Sequence, residues 1–257
     1  MAAFEGTIYA DSLGMMTSLT VTLPTGKAGG PEGEMPVVYL LHGLSDNHSA
    51  WLRRSRVDFY AEQAGFAVVM PEVQRGFYCD MAYGVKYYTY ITEELPALCR
   101  QMFRLSARRE DNFIAGLSMG GYGALKAAFR RPESYAGAAS FSGAVDVRSR
   151  LETGGIDPDE VYAISGGTLA EEDDLFPLAA RAAQRGDCPP LYVTCGKSDF
   201  MYEDHQRFRR HLEALGIAHT YEEWPGGHDW DFWDESLRRA FAFFTVRRAA
   251  SAAGPAR

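Results

Sequence analysis

Short apolar runs alternate along this chain with helix-length amphipathic segments. Val37–Leu41 (VVYLL), Phe66–Met70 (FAVVM), Asn112–Ala115 (NFIA), Gly137–Phe141 (GAASF) and Leu191–Cys195 (LYVTC) are apolar at successive positions and stop at or near Gly or Pro. His219–Trp224 (HTYEEW) alternates more and stops at Pro225. Continuous apolar runs suit parallel strands buried on both faces. Between them, Ser55–Ala64, Tyr90–Phe103, Gly120–Arg131, Asp204–Leu215 and Asp231–Val246 read as helices. Phe208, Leu212 and Leu215 form one helical stripe, and Leu237, Phe241 and Phe244 another. The alternation predicts an α/β fold with a mostly parallel central sheet and helices on both faces.

Three stretches break the pattern. Phe4–Ala10 and Thr17–Leu23 alternate polar and apolar around the turn residues Asp11–Gly14, which predicts an antiparallel pair at the sheet edge. Arg148–Gly186 shows no clear strand and holds Gly154-Gly155, Gly166-Gly167 and the acidic run Glu171–Asp174, so it reads as a cap-like insertion. Pro24–Pro36 is a Gly/Pro-rich surface loop, because too little chain precedes it to form a domain. The expectation is one domain over 1–248, with the insertion at about 148–186 and a disordered tail, AASAAGPAR, over 249–257.

Composition narrows the class. Of 257 residues 46% are hydrophobic, enough apolar surface to exclude a disordered chain. The formal charge of -8 and the scattered Arg pairs leave no cationic footprint for nucleic acid or an anionic membrane. The N-terminus, with Glu5 and Asp11 and no basic segment before an apolar run, does not read as a signal peptide. Cys79, Cys99, Cys188 and Cys195 show neither CxxC nor metal-type spacing. Together these features point to a reduced, cytoplasmic protein.

The chemistry centres on Gly116-Leu117-Ser118-Met119-Gly120, a G-x-S-x-G between an expected strand and an expected helix. A serine on so tight a turn projects its hydroxyl from the sheet edge, and its neighbours come close enough to backbone to need Gly. Serine is a weak nucleophile without a base. Among six histidines, His228 lies in PGGHDW, after the last strand and before the last helix, where a hydrolase of this topology places its base. His42, His48, His205, His211 and His219 read as structural. The acid that orients the base is expected after the next-to-last strand, where Asp199 stands, with Glu203, Asp204 and Asp229 as competitors. Oxyanion donors are expected from the backbone N–H groups of Met119 and of Leu44, which follows Gly43.

His42–Asn47 (HGLSDN), Gly116–Gly123 (GLSMGGYG), Asp199 and Gly227–Trp230 (GHDW) together resemble the esterase D / putative esterase branch of the α/β hydrolases. That branch includes tributyrin esterases, S-formylglutathione hydrolases, and acetyl xylan and feruloyl esterases. The match spans almost the whole chain, and FYCDMAYG at Phe77–Gly84 most resembles the tributyrin esterases. The resemblance implies a Ser118–Asp199–His228 triad, an acyl-enzyme, an oxyanion hole at Leu44 and Met119, no cofactor and no metal. It also suggests a homo-oligomer acting on a small-molecule ester. S-formylglutathione hydrolases usually carry His where this chain has Tyr122, a departure that argues against a glutathione thioester.

Six of the 33 aromatic residues, Phe77, Tyr78, Tyr83, Tyr87, Tyr88 and Tyr90, fall in the loop Arg75–Tyr90. Trp51, Trp230 and Trp233 flank the oxyanion loop and the base. An aromatic pocket is therefore expected, with Trp51, Tyr78, Tyr122 and Trp230 touching substrate. The reading that follows is a serine carboxylesterase for short-chain acyl esters, acetyl to butyryl, including acetylated carbohydrates. The alternatives are an S-formylglutathione hydrolase-type thioesterase and a non-catalytic binding module on a hydrolase fold.

Overall fold

A computed structural model describes residues 1–25, 33–152 and 156–252. The strands are β1 Ala2–Ala10, β2 Met15–Leu23, β3 Val37–Leu41, β4 Ala67–Pro71, β5 Asn112–Leu117, β6 Gly137–Phe141, β7 Leu191–Gly196 and β8 His219–Trp224. They form one sheet in the order β1-β2-β4-β3-β5-β6-β7-β8. β3 to β8 run parallel, and β1 and β2 are antiparallel at one edge. The helices are α1 Ala50–Arg54, α2 Val57–Ala64, α3 Tyr87–Thr89, α4 Leu95–Phe103, α5 Met119–Arg130, α6 Val147–Glu152, α7 Pro158–Ser165, α8 Leu175–Arg185, α9 Tyr202–Ala214 and α10 Trp230–Ala252. α3 runs into α4 through a widened π turn at Tyr90–Glu94.

The apolar runs are buried on both faces because side chains alternate sides along a strand. On β3, Val37, Tyr39 and Leu41 join a core with residues of α4, α5, α8 and α9, such as Cys99, Leu125, Leu178 and Phe208. Val38 and Leu40 face the other way and pack with Trp51, Val57, Leu237 and Phe241 from α1, α2 and α10. Two helical layers therefore sandwich the sheet, as in other α/β folds with parallel strands.

The connections place the site. From β3 the chain crosses to β4 on one side, then returns to β5 on the other side of β3. The C-terminal ends of β3 and β5 thus border the crevice where open α/β sheets bind ligands. The loop after β3 carries Gly43 and Leu44, and the turn after β5 carries Ser118.

Two boundaries differ from the expectation. Within 148–186, α8 is no cap: it packs beside α5 and α9 and buries Leu175, Leu178, Ala179 and Ala182. That stripe has helical period, but two of its four members are alanines and Arg181 lies between them, so it is faint in the sequence. α10 runs through Ala252, into the stretch expected to be a disordered tail. Residues 249–252 are Ala and Ser, compatible with helix, and Arg248 beside them is held by Asp111 at 2.7 Å. Residues 253–257 of that tail lie outside the described residues. Among the described residues no helix is long and apolar enough to cross a membrane.

Candidate active site

The turn between β5 and α5 shows why glycine flanks the serine. Ser118 sits at φ 50° and ψ -118°, a conformation side-chain-bearing residues rarely adopt. Its N–H donates to the Phe141 carbonyl (2.9 Å), and its carbonyl accepts from the N–H groups of Tyr122 (3.1 Å) and Ala144 (3.0 Å). A Cβ on Gly116 would lie 2.4 Å from the Gly120 backbone, and one on Gly120 would lie 2.4 Å from the Leu41 carbonyl oxygen. Both obstacles are backbone, so neither can swing aside. Gly120→Ala is therefore expected to destabilise the fold by roughly 3 kcal/mol, the upper end for overpacking. Urea unfolding checks this, and a wild-type midpoint would contradict the close packing of β3 on the elbow.

Three side chains from separate loops converge at this point. His228 Nε2 lies 3.0 Å from Ser118 Oγ. His228 Nδ1 lies 2.9 Å from Asp199 Oδ2. Asp199 Oδ1 accepts the Met201 N–H at 2.8 Å, which locks the carboxylate in the loop after β7. The Asp199 side chain has no solvent exposure, whereas that of His228 is 18% exposed. Burial pushes the Asp199 carboxyl up, but the hydrogen bond and charge of His228 and the Met201 N–H outweigh it, so it titrates below the usual aspartate value. Asp199 is thus an anion at neutral pH. The competing carboxylates are engaged elsewhere: Asp204 by Arg150 and Arg207, Asp229 by the N–H groups of Gly227 and Phe232. The structure also describes Glu203 on α9, and no hydrogen bond joins it to His228 among the described residues.

The other histidines have backbone or side-chain partners away from Ser118. His42 Nδ1 contacts the Gly43 carbonyl (2.7 Å), and its Nε2 accepts the Val73 N–H (3.1 Å). His48 meets Thr20, His211 the Phe176 carbonyl and His219 the Ile217 carbonyl. His205 is fully buried against the Gly143 carbonyl, and burial lowers its pKa to about 4, so it stays neutral.

A cavity of about 220 Å³ opens onto Ser118 and His228. Leu44 and Met119 border it. Met119 is the first residue of α5, so its N–H has no partner one turn back in the helix and is available to an oxyanion. The remaining wall includes Phe77, Arg150, Ile156, Phe200, Met201 and Trp233.

None of the four residues expected to touch substrate lines this cavity. Trp51 is wholly buried under the site, with its Nε1–H donating to the Leu41 carbonyl (3.0 Å). Tyr78 is wholly buried, and its hydroxyl donates to the His42 carbonyl (2.9 Å). Tyr122 donates to the Asp173 carbonyl (2.7 Å) and faces a separate small apolar chamber. Trp230 packs edge-on between Trp51 and Trp233. Trp51, Tyr78 and Tyr122 are thus scaffold of the site, because the polar tip of each finds a backbone carbonyl inside the protein. Only Phe77 of the Arg75–Tyr90 loop reaches the cavity, with Trp233 and Phe200 from elsewhere.

Lys126 carries no signal in the sequence, where it looks like an ordinary helix lysine. It is fully buried on α5, where its ammonium donates to the Tyr78 carbonyl (3.1 Å) and pairs with Asp173. Burial pushes its pKa down, but Cys79 and Asp173 outweigh that and hold it protonated. It braces Phe77 and Tyr78, which both sit at positive φ (47° and 50°). Among the described residues no cluster of three His, Cys, Asp or Glu side chains is arranged to hold a metal ion.

Comparison with known proteins gives a consistent picture. The family model described as "Putative esterase" matches residues 10–244. An acetyl esterase of Caldicellulosiruptor saccharolyticus is 28% identical over 95% of this chain and 98% of its own. Among solved structures, the fluorophosphonate-binding serine hydrolase FphF of Staphylococcus aureus superposes with a TM-score of 0.88 at 32% identity, covering 95% of this chain and 98% of that one. The S-formylglutathione hydrolase FrmB of the same organism gives 0.85 at 32%, with the same coverage.

Proposed function

The chain belongs to the putative esterase family of carboxylic ester hydrolases, and from that premise we propose that it cleaves short-chain acyl esters through Ser118, His228 and Asp199. The observation that carries this reading is the unbroken line of contacts, Ser118 Oγ to His228 Nε2 at 3.0 Å and His228 Nδ1 to Asp199 at 2.9 Å. His228 takes the serine proton as Oγ attacks the ester carbonyl. The N–H groups of Leu44 and Met119 hold the oxyanion. The C–O bond to the alcohol breaks, and His228 returns the proton to the leaving oxygen. Water, deprotonated by the same histidine, then attacks the acyl-serine and releases the acid. An alkyl fluorophosphonate tests this: it is expected to label Ser118 alone and to stop hydrolysis of para-nitrophenyl acetate. Labelling elsewhere, or hydrolysis that survives labelling, would overturn the reading.

Cavity size supports acetyl to butyryl chains. About 220 Å³ is small beside the roughly 300–1,000 Å³ of pockets that hold drug-sized ligands. Phe77 and Ile156 border both this cavity and the apolar chamber lined by Val161, Ile164 and Leu169. Phe77→Gly, which suits the positive φ of 47° there, is expected to join the two spaces. The ratio of kcat/KM on hexanoyl to that on acetyl esters should rise about tenfold, the scale of a methylene or two in an apolar pocket. A chain-length panel of para-nitrophenyl esters measures it, and an unchanged ratio would remove Phe77 from the acyl wall.

A thioesterase activity like that of S-formylglutathione hydrolases is the second reading. It is favoured by the similarity to FrmB. Tyr122 no longer weighs against it, since that ring faces away from the catalytic cavity. Relative kcat/KM on S-formylglutathione and on an acetylated xylo-oligosaccharide separates the two. We place the protein in the reducing cytoplasm, a reading supported by four free thiols, three of them buried.

A further inference from the structure

The leaving half of the substrate meets one particular wall. In acyl transfer His228 returns its proton to the leaving oxygen, so that half of the ester lies beside His228 Nε2. The Phe200 ring packs 4.7 Å from the His228 ring, and the Arg150 guanidinium lies 4.7 Å from the Phe200 centroid. Arg150 and Phe200 both line the cavity that contains Ser118, and Phe200 is 63% exposed, which puts this wall at the mouth. The leaving group therefore runs out past an aromatic face carrying a guanidinium.

That guanidinium is only partly occupied. One of its terminal nitrogens reaches Asp204 Oδ2 at 3.2 Å and the Phe200 carbonyl at 3.5 Å. Asp204 is shared, since its Oδ1 accepts from Arg207 at 2.8 Å, and Arg207 also pairs with Asp146. The Arg150 Nε–H is shielded from solvent and donates to no group among the described residues. A donor without a protein partner is left to water or to a ligand. A guanidinium fork is shaped to bind a carboxylate in two places. In a chain of net charge -8, a cation at the mouth also reverses the local repulsion of anions. Asp46 lines the same cavity, but it comes from the loop after β3 that supplies Leu44.

We propose that Arg150 selects esters whose leaving half carries a carboxylate. The proposal rests on the assignment of Ser118 and His228 as nucleophile and base. The test uses para- and meta-acetoxybenzoate, in which the leaving phenol bears a carboxylate, against the neutral para- and meta-acetoxybenzamides. Arg150→Gln is expected to lower kcat/KM on at least one benzoate by about 10- to 100-fold, mostly through KM, the loss typical of a charge-assisted hydrogen bond. The benzamides should change by less than about threefold. Arg150→Lys, which keeps the charge without the fork, should restore part of the preference, and salt should weaken the wild-type preference but leave the glutamine variant unaffected. Equal losses on acids and amides, in both isomers, would overturn the proposal and make Arg150 a structural residue. If the wild-type protein cleaves no probe and takes no fluorophosphonate, the serine assignment has failed and the proposal falls with it. If it cleaves the amides normally and the Arg150 variants shift no ratio, only the proposal fails.

Discussion

Ser118→Ala is expected to lower kcat on para-nitrophenyl acetate by roughly a million-fold, the scale on which a serine hydrolase loses its nucleophile. The size follows from what the hydroxyl supplies. It is the only atom of the serine that forms a bond to the acyl carbon, and it sits 3.0 Å from the one histidine that can take its proton. What survives is the stabilisation of the oxyanion by Leu44 and Met119 around an attacking water. The fold should survive too. The backbone bonds of Ser118 to Phe141, Tyr122 and Ala144 do not involve the side chain, and alanine faces the same φ of 50° as serine. The lost Ser–His hydrogen bond is worth at most about 1.5 kcal/mol. Rates on the ester, read beside a thermal melt, check both halves. Wild-type turnover by a folded Ser118→Ala protein would sink the nucleophile assignment.

Asp199→Asn should cost roughly 10⁴-fold in kcat. The carboxylate is fully shielded, its Oδ1 is tied to the Met201 N–H, and its Oδ2 faces His228 Nδ1. It therefore holds the proton on Nδ1 and leaves Nε2 free to accept from Ser118. An asparagine can present an N–H to Nδ1 instead, which puts the imidazole proton on Nε2, the wrong tautomer for a base. It also removes the charge that steadies the imidazolium. A second signature lies in stability. Because the folded pKa of Asp199 is depressed, its ionised form favours the fold. That contribution is full above the ordinary aspartate value, about 3.9. It is lost as pH falls through the lower value Asp199 has in the fold. The stability gap between wild type and Asp199→Asn should thus narrow on acidification and stay constant above about pH 5. A kcat within tenfold of wild type would return the role to another carboxylate, and a gap that widens on acidification would contradict the depressed pKa.

Much of the candidate site can be read along the chain because its parts are local. Glycine at 116 and 120 answers a contact between turn and backbone only a few residues long, together with the close pass of β3. Strand ends are marked by Gly43, Gly116 and Gly196, so the residues just beyond them are known to lie on one edge of a parallel sheet. The substrate wall has no such mark. Trp51, Tyr78, Tyr122 and Trp230 are as aromatic as Phe77, Phe200 and Trp233, and nothing in composition separates the rings that pack from those that face the cavity. Phe200 did carry a faint signal, since it follows Asp199, and a residue beside the acid lies near the base. Arg150 carried none, because its place depends on how α6 lies over the sheet.

The sequence by itself determined the α/β class, the succession of strands and helices along the chain, and that Ser118, Asp199 and His228 stand just beyond strand ends. Period and turn chemistry act over a few residues and are written directly in the chain. Tertiary structure alone decided that α8 belongs to the helix layer, that Lys126 braces the Phe77 loop, and that Arg150 packs on Phe200 in the wall of the cavity. Those facts depend on which surfaces meet after residues distant in the chain are brought together. Tyr78, Tyr122 and Lys126 settle where a carbonyl or carboxylate from another element satisfies them, as Lys126 does between Tyr78 and Asp173.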